Sequence, residues 1–414
     1  MRHRRLAIVA GLVLMLGRTA LAEAPAGTVA AQPPRDFSSE PFVVEWLKSS
    51  IRFERDGTGS KSVRSRVRVQ TDGGVQQLGT IVLNYNSDSE KMTISGRVIK
   101  PDGSTIPIPE SATQDMSSPV SMVAPLYSDI RQQHVIVPGL RPGDTLEYEI
   151  QIDQFAAIAP SQFWLAYEFE KVAIVQNEEL TIDVPSQVYV NVKSKPGSEP
   201  EIADKDGRRV YRWKTSHLER EPEPDPAKGK RVVADEDAPP AVQLSTFRDW
   251  DEIGKWYAAL EKERRAPDVK IRAKVAELTK DAGSPIEKLE AIYDFVAKEY
   301  RYVSLSFGVG RYQPHAAAEI FGNKYGDCKD KHTLLAAMTS AADLKVRAAL
   351  TSASRKVDES FPSPAQFDHV VTYVTLGGED VWLDTTTELA PFRMLVAPVR
   401  GKAALVVAPE GKSE

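Results

Sequence analysis

The hydrophobic period of this chain changes once, and that change sets what each half can fold into. Before residue 216 apolar residues recur at every second position. Val63, Val67 and Val69 alternate with Arg64, Arg66 and Arg68, and Leu146, Tyr148, Ile150 and Ile152 alternate with Glu147, Glu149 and Gln151. A period of two places one face of an extended strand in a core and the other in water. Met92, Ile94 and Val98, then Leu180, Ile182 and Val184, then Val188, Val190 and Val192 continue the pattern. Turn signals at Pro101-Asp102-Gly103, Pro142-Gly143 and Asp206-Gly207 separate the runs. Residues 41–215 are therefore expected to form a β-rich, sandwich-like domain.

Residues 216–240 end this regime. They carry Pro222, Pro224, Pro226, Pro239 and Pro240 among many charges, with no apolar period, and read as a stiff, solvated linker. Beyond them the period becomes helical. Trp250, Ile253, Trp256, Tyr257 and Leu260 share one helical face, and Ile271, Val275 and Leu278 mark a second helix. Ser284-Pro285-Ile286-Glu287 starts a third, with Ser284 as cap, Pro285 in the first turn and Glu287 completing a capping box. Ile286, Leu289, Ile292, Tyr293 and Val296 form its buried stripe. Tyr302 to Ser306 reads as extended, and Gly326-Asp327-Cys328 opens a further helix with Leu334, Leu335 and Met338 inside. Val346 to Leu350, His369 to Leu376 and Val381 to Asp384 are strand-like, the last two joined by a tight turn at Gly377-Gly378. Residues 241–400 thus form helices followed by an antiparallel sheet, and the chain as a whole is α+β. Residues 401–414 read as a C-terminal tail.

The N-terminus carries an export signal. Arg2, Arg4 and Arg5 precede an apolar run from Leu6 to Leu16, and Ala20-Leu21-Ala22 has the small-x-small pattern of a cleavage site. Residues 1–22 are a signal peptide, residues 23–40 a disordered lead-in, and the expected location is exported, most simply a periplasm. No later segment is apolar enough to cross a membrane. The net charge of -5 offers no reason to expect nucleic-acid binding. The chain has 1 cysteine, so no internal disulfide can form, and a lone thiol in an oxidising compartment is either buried or used.

The context of Cys328 favours use. It sits at a helix start just after Gly326-Asp327, where Asp327 can accept a first-turn amide bond. Free amides and the positive helix end stabilise a thiolate there, and the same amides suit an oxyanion. Gly326 allows a substrate backbone to approach. A thiol nucleophile needs a base, and the base an orienting acceptor. A two-residue turn at Gly377-Gly378 pairs Leu376 with Glu379, and by extension Val371 with Asp384. His369 and Val371 share a face, so Asp384 becomes a diagonal cross-strand neighbour of His369.

These residues resemble a known family. Gly326-Asp327-Cys328-Lys329-Asp330-Lys331 ahead of an apolar helix is similar to the nucleophile motif of bacterial transglutaminase-like proteins. Phe367-Asp368-His369-Val370 and Trp382-Leu383-Asp384 match that family's His and Asp motifs in order and spacing. The preceding β-domain resembles a domain of unknown function found before such cores in exported bacterial proteins. The resemblance implies a papain-like fold and acyl transfer from an amide without metal or cofactor, with Cys328 attacking, His369 moving the proton and Asp384 orienting His369. It implies a protein or peptide substrate, as a cysteine protease, amidase or crosslinking transglutaminase. The rival reading is a non-catalytic envelope scaffold whose β-domain binds a partner protein. This chain departs from many relatives in having His332 in place of a small residue, and similar proteins often continue into a further C-terminal β-domain.

Other residues have plainer readings. His332 shares a helical face with Cys328; two ligands are too few for structural zinc, so it is expected to pack behind the site. His315 reads as a capping or surface residue. Tyr302 and Gln313 are candidate oxyanion donors, though a core Tyr and a surface Gln are the default. Trp250, Trp256 and Tyr257 read as helix core, and Lys329, Asp330 and Lys331 as a solvated helix edge.

Overall fold

A computed structural model describes residues 36–219, 238–304, 312–408 and 412–413. The expected signal peptide, most of the lead-in, most of the linker and Ser306 lie outside these residues. Among the described residues, alternation in the first half becomes an eight-stranded sheet. Its spatial order is Glu201–Lys205, Arg208–His217, Val175–Pro185, Phe42–Phe53, Gly59–Val69, Thr145–Gln154, Glu90–Ile99 and Thr105–Pro107. Phe42–Phe53 runs parallel to Val175–Pro185, with Ile51 opposite Ile182. That pairing needs a long crossover, here everything between the two strands. The inward positions Ile51, Phe53, Leu180, Ile182, Tyr211 and Trp213 are buried against Val242 and Leu244. Those two belong to a three-stranded sheet ordered Asn191–Ser194, Val242–Ser245, Trp164–Tyr167. Another three-stranded sheet has the order Thr80–Asn86, Ile130–Ile136, Thr113–Ser117. The layered, sandwich-like reading describes this region, with one addition: a helix at Asp72–Leu78, capped by Thr71, that the alternation did not signal.

Val242–Ser245 corrects the domain boundary expected at 241. This strand follows the linker yet is the middle strand of a sheet whose other members precede the linker. Its four residues are all buried, so it needs partners on both edges.

The second half has helices at Trp250–Glu261, Val269–Leu278, Pro285–Glu299, Ala317–Asn323 and Cys328–Ala341. Ser284 caps the third as expected, accepting from the Glu287 amide. Glu287 reaches back to the Gly283 amide, one residue short of a capping box. Leu289, Ile292, Tyr293 and Val296 are fully buried against Leu334, Leu335 and Met338 of the Cys328 helix. Each such side chain contributes about 1.5–3 kcal/mol on burial. Four antiparallel strands follow in the order Glu379–Leu383, His369–Leu376, Arg347–Thr351, Ala404–Val406. The last corrects the reading of 401–414 as a tail, because Leu405 and Val406 are buried and pair with Arg347–Thr351. No helix among the described residues is long and apolar enough to cross a membrane.

Candidate active site

Cys328 is the first residue of its helix. Asp327 caps it, accepting the Asp330 amide at 3.1 Å. Gly326 is required by close packing: a Cβ there would stand 2.7 Å from Asp330 Cβ. The close approach that glycine permits is made by the protein's own helix, which replaces the expected role toward substrate.

His369 opens its strand, and Gly377 and Gly378, at φ 60° and 85°, form the turn that returns the chain. Leu376 pairs with Glu379 and Thr372 with Leu383, which is the register needed to bring Asp384 diagonally to His369. His369 Nε2 and Asp384 Oδ2 lie 3.0 Å apart. The other Asp384 oxygen accepts from the Thr386 amide at 2.9 Å and the Thr386 hydroxyl at 2.7 Å. Its backbone carbonyl accepts from the buried Tyr293 hydroxyl at 3.1 Å. Ahead of His369, Asp368 accepts the Ala353 amide at 2.6 Å and clamps the neighbouring turn.

The electrostatics follow from these bonds. Burial opposes a charge on His369, but the bond to Asp384 and the influence of nearby Cys328 outweigh it and push the imidazole up to about 10. Burial likewise opposes charge on Asp384, yet its bonds to His369 and Thr386 hold it below the usual carboxylate value. Of the three sequence-predicted residues, the structure bonds His369 to Asp384, and Cys328 lies near enough to the imidazole to raise it. Cys328 itself is 2% exposed.

The charges after Cys328 overturn the solvated-edge reading. Lys329, Asp330 and Lys331 are all fully buried. Lys329 pairs with Asp327. Burial raises Asp327 to about 6, against the pull of Lys329. Lys331 donates to the Ala297 and Tyr300 carbonyls at 3.2 and 2.6 Å, closing the end of the helix Pro285–Glu299, and burial lowers it to about 8. Asp330 accepts from the His315 ring at 2.9 Å, the His315 amide at 2.8 Å and the Tyr127 hydroxyl at 2.7 Å. His315 is therefore neither cap nor surface residue; it bridges Asp330 and the Leu126 carbonyl. The helix start is not a bare dipole end, since two carboxylates and their cationic partners share it.

His332 packs behind the site as expected, with Nδ1 2.7 Å from the Thr372 hydroxyl and Nε2 3.4 Å from Glu261. Tyr257 is buried, and Trp256 and Trp250 border the cluster that contains Cys328. Tyr302 borders the same cluster, and burial first, then the Cys328 charge, drive its hydroxyl upward. Gln313 instead lines a cavity of about 540 Å³ with Trp164, Tyr312, Lys61 and Glu90.

Tyr127 was not legible as a site residue. It lies 200 positions before Asp327, in a short turn between two strands, and no local pattern marks it.

Comparison with known proteins is consistent with this architecture. A family model described as a domain of unknown function, DUF3857, matches residues 55–221. The model of the transglutaminase-like superfamily matches residues 272–385. A solved structure of a candidate protease from Parabacteroides distasonis superimposes with a TM-score of 0.73 at 18% identity, covering 90% of this chain and 71% of its own. It shares the fold. A zinc metallopeptidase of type M1 from Deinococcus radiodurans (TM-score 0.27, 12% identity, 50% of this chain and 42% of its own) is too slight a likeness to bear on it. The same holds for a candidate cysteine protease from Cytophaga hutchinsonii (TM-score 0.26, 12% identity, 79% and 83%). No curated protein matches the chain.

Proposed function

For a chain that carries a transglutaminase-like core behind a DUF3857 domain, we propose an exported thiol enzyme that acts on a peptide or glutamine-type amide. The observation that carries this reading is His369 bonded to Asp384 at 3.0 Å, with Cys328 near enough to raise its imidazole. In the first step Cys328 Sγ, its proton already on His369, bonds to the amide carbonyl carbon. The oxyanion is assigned to the Cys328 amide at the helix start. His369 then gives the proton to the leaving nitrogen, the C–N bond breaks, and a thioester remains. Water or a second amine attacks the thioester, His369 takes the incoming proton and keeps it as the C–S bond breaks, and the starting pair is restored. Water makes the enzyme a protease or amidase; an amine makes it a crosslinking transglutaminase. The protease neighbour supports a protein substrate, and the sequence at residues 1–22 supports export to a periplasm.

One observation favours a second reading. With Cys328 only 2% exposed, a non-catalytic scaffold on the same fold, its β-domain binding an envelope partner, accounts for a thiol that no substrate reaches. Iodoacetamide alkylation of the native protein separates the two, because one thiol gives one signal. The enzyme reading expects alkylation without denaturant, slowed roughly tenfold or more in His369→Ala. Alkylation seen only after unfolding, or unchanged by that substitution, selects the scaffold.

A further inference from the structure

The first turn of the Cys328 helix is held from outside its own domain. Tyr127 is 1% exposed, and its hydroxyl makes two bonds. It accepts from the Asp327 amide at 2.7 Å and donates to Asp330 Oδ2 at 2.7 Å. Asp327 is the cap of the helix and Asp330 its third residue, so one hydroxyl ties the two ends of the turn that contains Cys328. Packing alone does not call for this. A phenylalanine would fill the same space beside Tyr325, Val303 and Ile130. A buried tyrosine hydroxyl is retained at a cost unless it is bonded, and here both bonds go to the nucleophile turn.

Tyr127 belongs to residues 118–129, the β-domain segment between the strands Thr113–Ser117 and Ile130–Ile136. That segment is fastened to the core at three further points. The Leu126 amide donates to the Tyr325 hydroxyl at 3.0 Å. The Leu126 carbonyl lies 3.0 Å from His315 Nε2, and His315 in turn bonds Asp330. Arg301 donates to the Val123 carbonyl at 2.6 Å. His315 bonds Asp330 of that turn, and Arg301 pairs with Tyr325 in the short strands that lead into it, so the segment grips the nucleophile turn rather than some remote face of the core.

We infer that Tyr127 is a positioning residue for the nucleophile turn, and that this turn is assembled only while residues 118–129 of the β-domain are docked against it. The β-domain then acts as part of the catalytic framework. As a statement about catalysis this rests on the thiol-enzyme reading above; as a statement about the turn it does not.

The test uses the full chain with Tyr127→Phe, which keeps the ring and removes the hydroxyl. Hydrogen exchange is followed in peptides covering residues 325–331 and in the helix Val269–Leu278 as a reference, beside the pH profile of Cys328 alkylation. Loss of a buried bond to a charged group is expected to speed exchange in 325–331 about tenfold or more, with the reference unchanged. Alkylation is expected to slow by a similar factor with a displaced pH profile. Tyr325→Phe, which frees the Leu126 amide and leaves Tyr127 intact, is expected to speed exchange in 118–129 and 325–331 together. Wild-type exchange in 325–331 in both variants overturns the inference. So does acceleration spread evenly over the reference helix, which is the mark of a merely structural residue. If wild-type alkylation ignores His369, the enzyme reading falls, while the exchange result still decides the role of Tyr127.

Discussion

Asp384, bonded to His369, and nearby Cys328 favour the protonated imidazole against the cost of burial. Raised from 6.5 to about 10, it binds a proton in the folded state over a range where the unfolded chain does not. The stability this contributes is full below about pH 6.5 and is lost as the pH rises through about 10. Asp384, lowered from 3.8, works the other way: its contribution is present above that value and lost as the pH falls. Asp384→Asn keeps the shape and removes the charge. The stability gap between wild type and this variant is therefore expected to be widest between about pH 4 and 6.5, on the order of a few kcal/mol, and to close toward about pH 10. Urea unfolding at three pH values across that range measures it; a gap that does not change with pH excludes the charge pair. At this scale the sequence was informative where chemistry is local. Cys328, His369 and Asp384 could be picked out by helix start, strand alternation and turn. The burial of Asp330 and Lys331 could not, since their partners are the carbonyls of Ala297 and Tyr300, the ring of His315 and the hydroxyl of Tyr127.

The Cys328 helix and the His369 hairpin are positioned by different means. The hairpin follows from its turn. Two glycines at positive φ accept a two-residue connection, and the period of two then carries Asp384 to the face of His369. The helix depends on contact with its own approach strand, where Gly326 leaves room for Asp330. Gly326→Ala is expected to push the first turn away, costing about 1–3 kcal/mol and slowing His369-dependent alkylation more than the stability loss alone explains. Thermal unfolding with the alkylation rate checks both; a variant with wild-type values in each shows that the turn yields freely. The same contact explains why the sequence suggested a different reason for this glycine. A Gly before a nucleophile fits substrate approach and self-packing equally well until the neighbouring Cβ is seen.

Across the whole molecule the two halves share their structural material. Val242–Ser245 sits between strands of the β-domain although it follows the linker, and Trp164 of that domain packs on Trp256 and Tyr312 of the core at 5.3 and 5.4 Å between ring centroids. Leu244→Ala leaves a cavity at a fully buried position in that shared sheet and is expected to cost about 2–5 kcal/mol. Because the sheet belongs to both halves, calorimetry is expected to show one transition moved as a unit. Two transitions, with only the first displaced, would mean that the halves unfold independently.

The sequence by itself determined the α+β division, the helix start at Cys328, and the hairpin register that joins His369 to Asp384. Each is written in periods of two or 3.6, in capping residues or in turn glycines, which act over a few neighbouring positions. Only the tertiary structure decided that Ala404–Val406 completes the core sheet, that Val242–Ser245 belongs with the strands before the linker, and that Tyr127 reaches the nucleophile turn. The physical reason is the range of the forces. Strand pairing at an edge and hydrogen bonds to buried charges are satisfied by whichever group arrives, and nothing local in the chain states which group, 200 positions away, that will be.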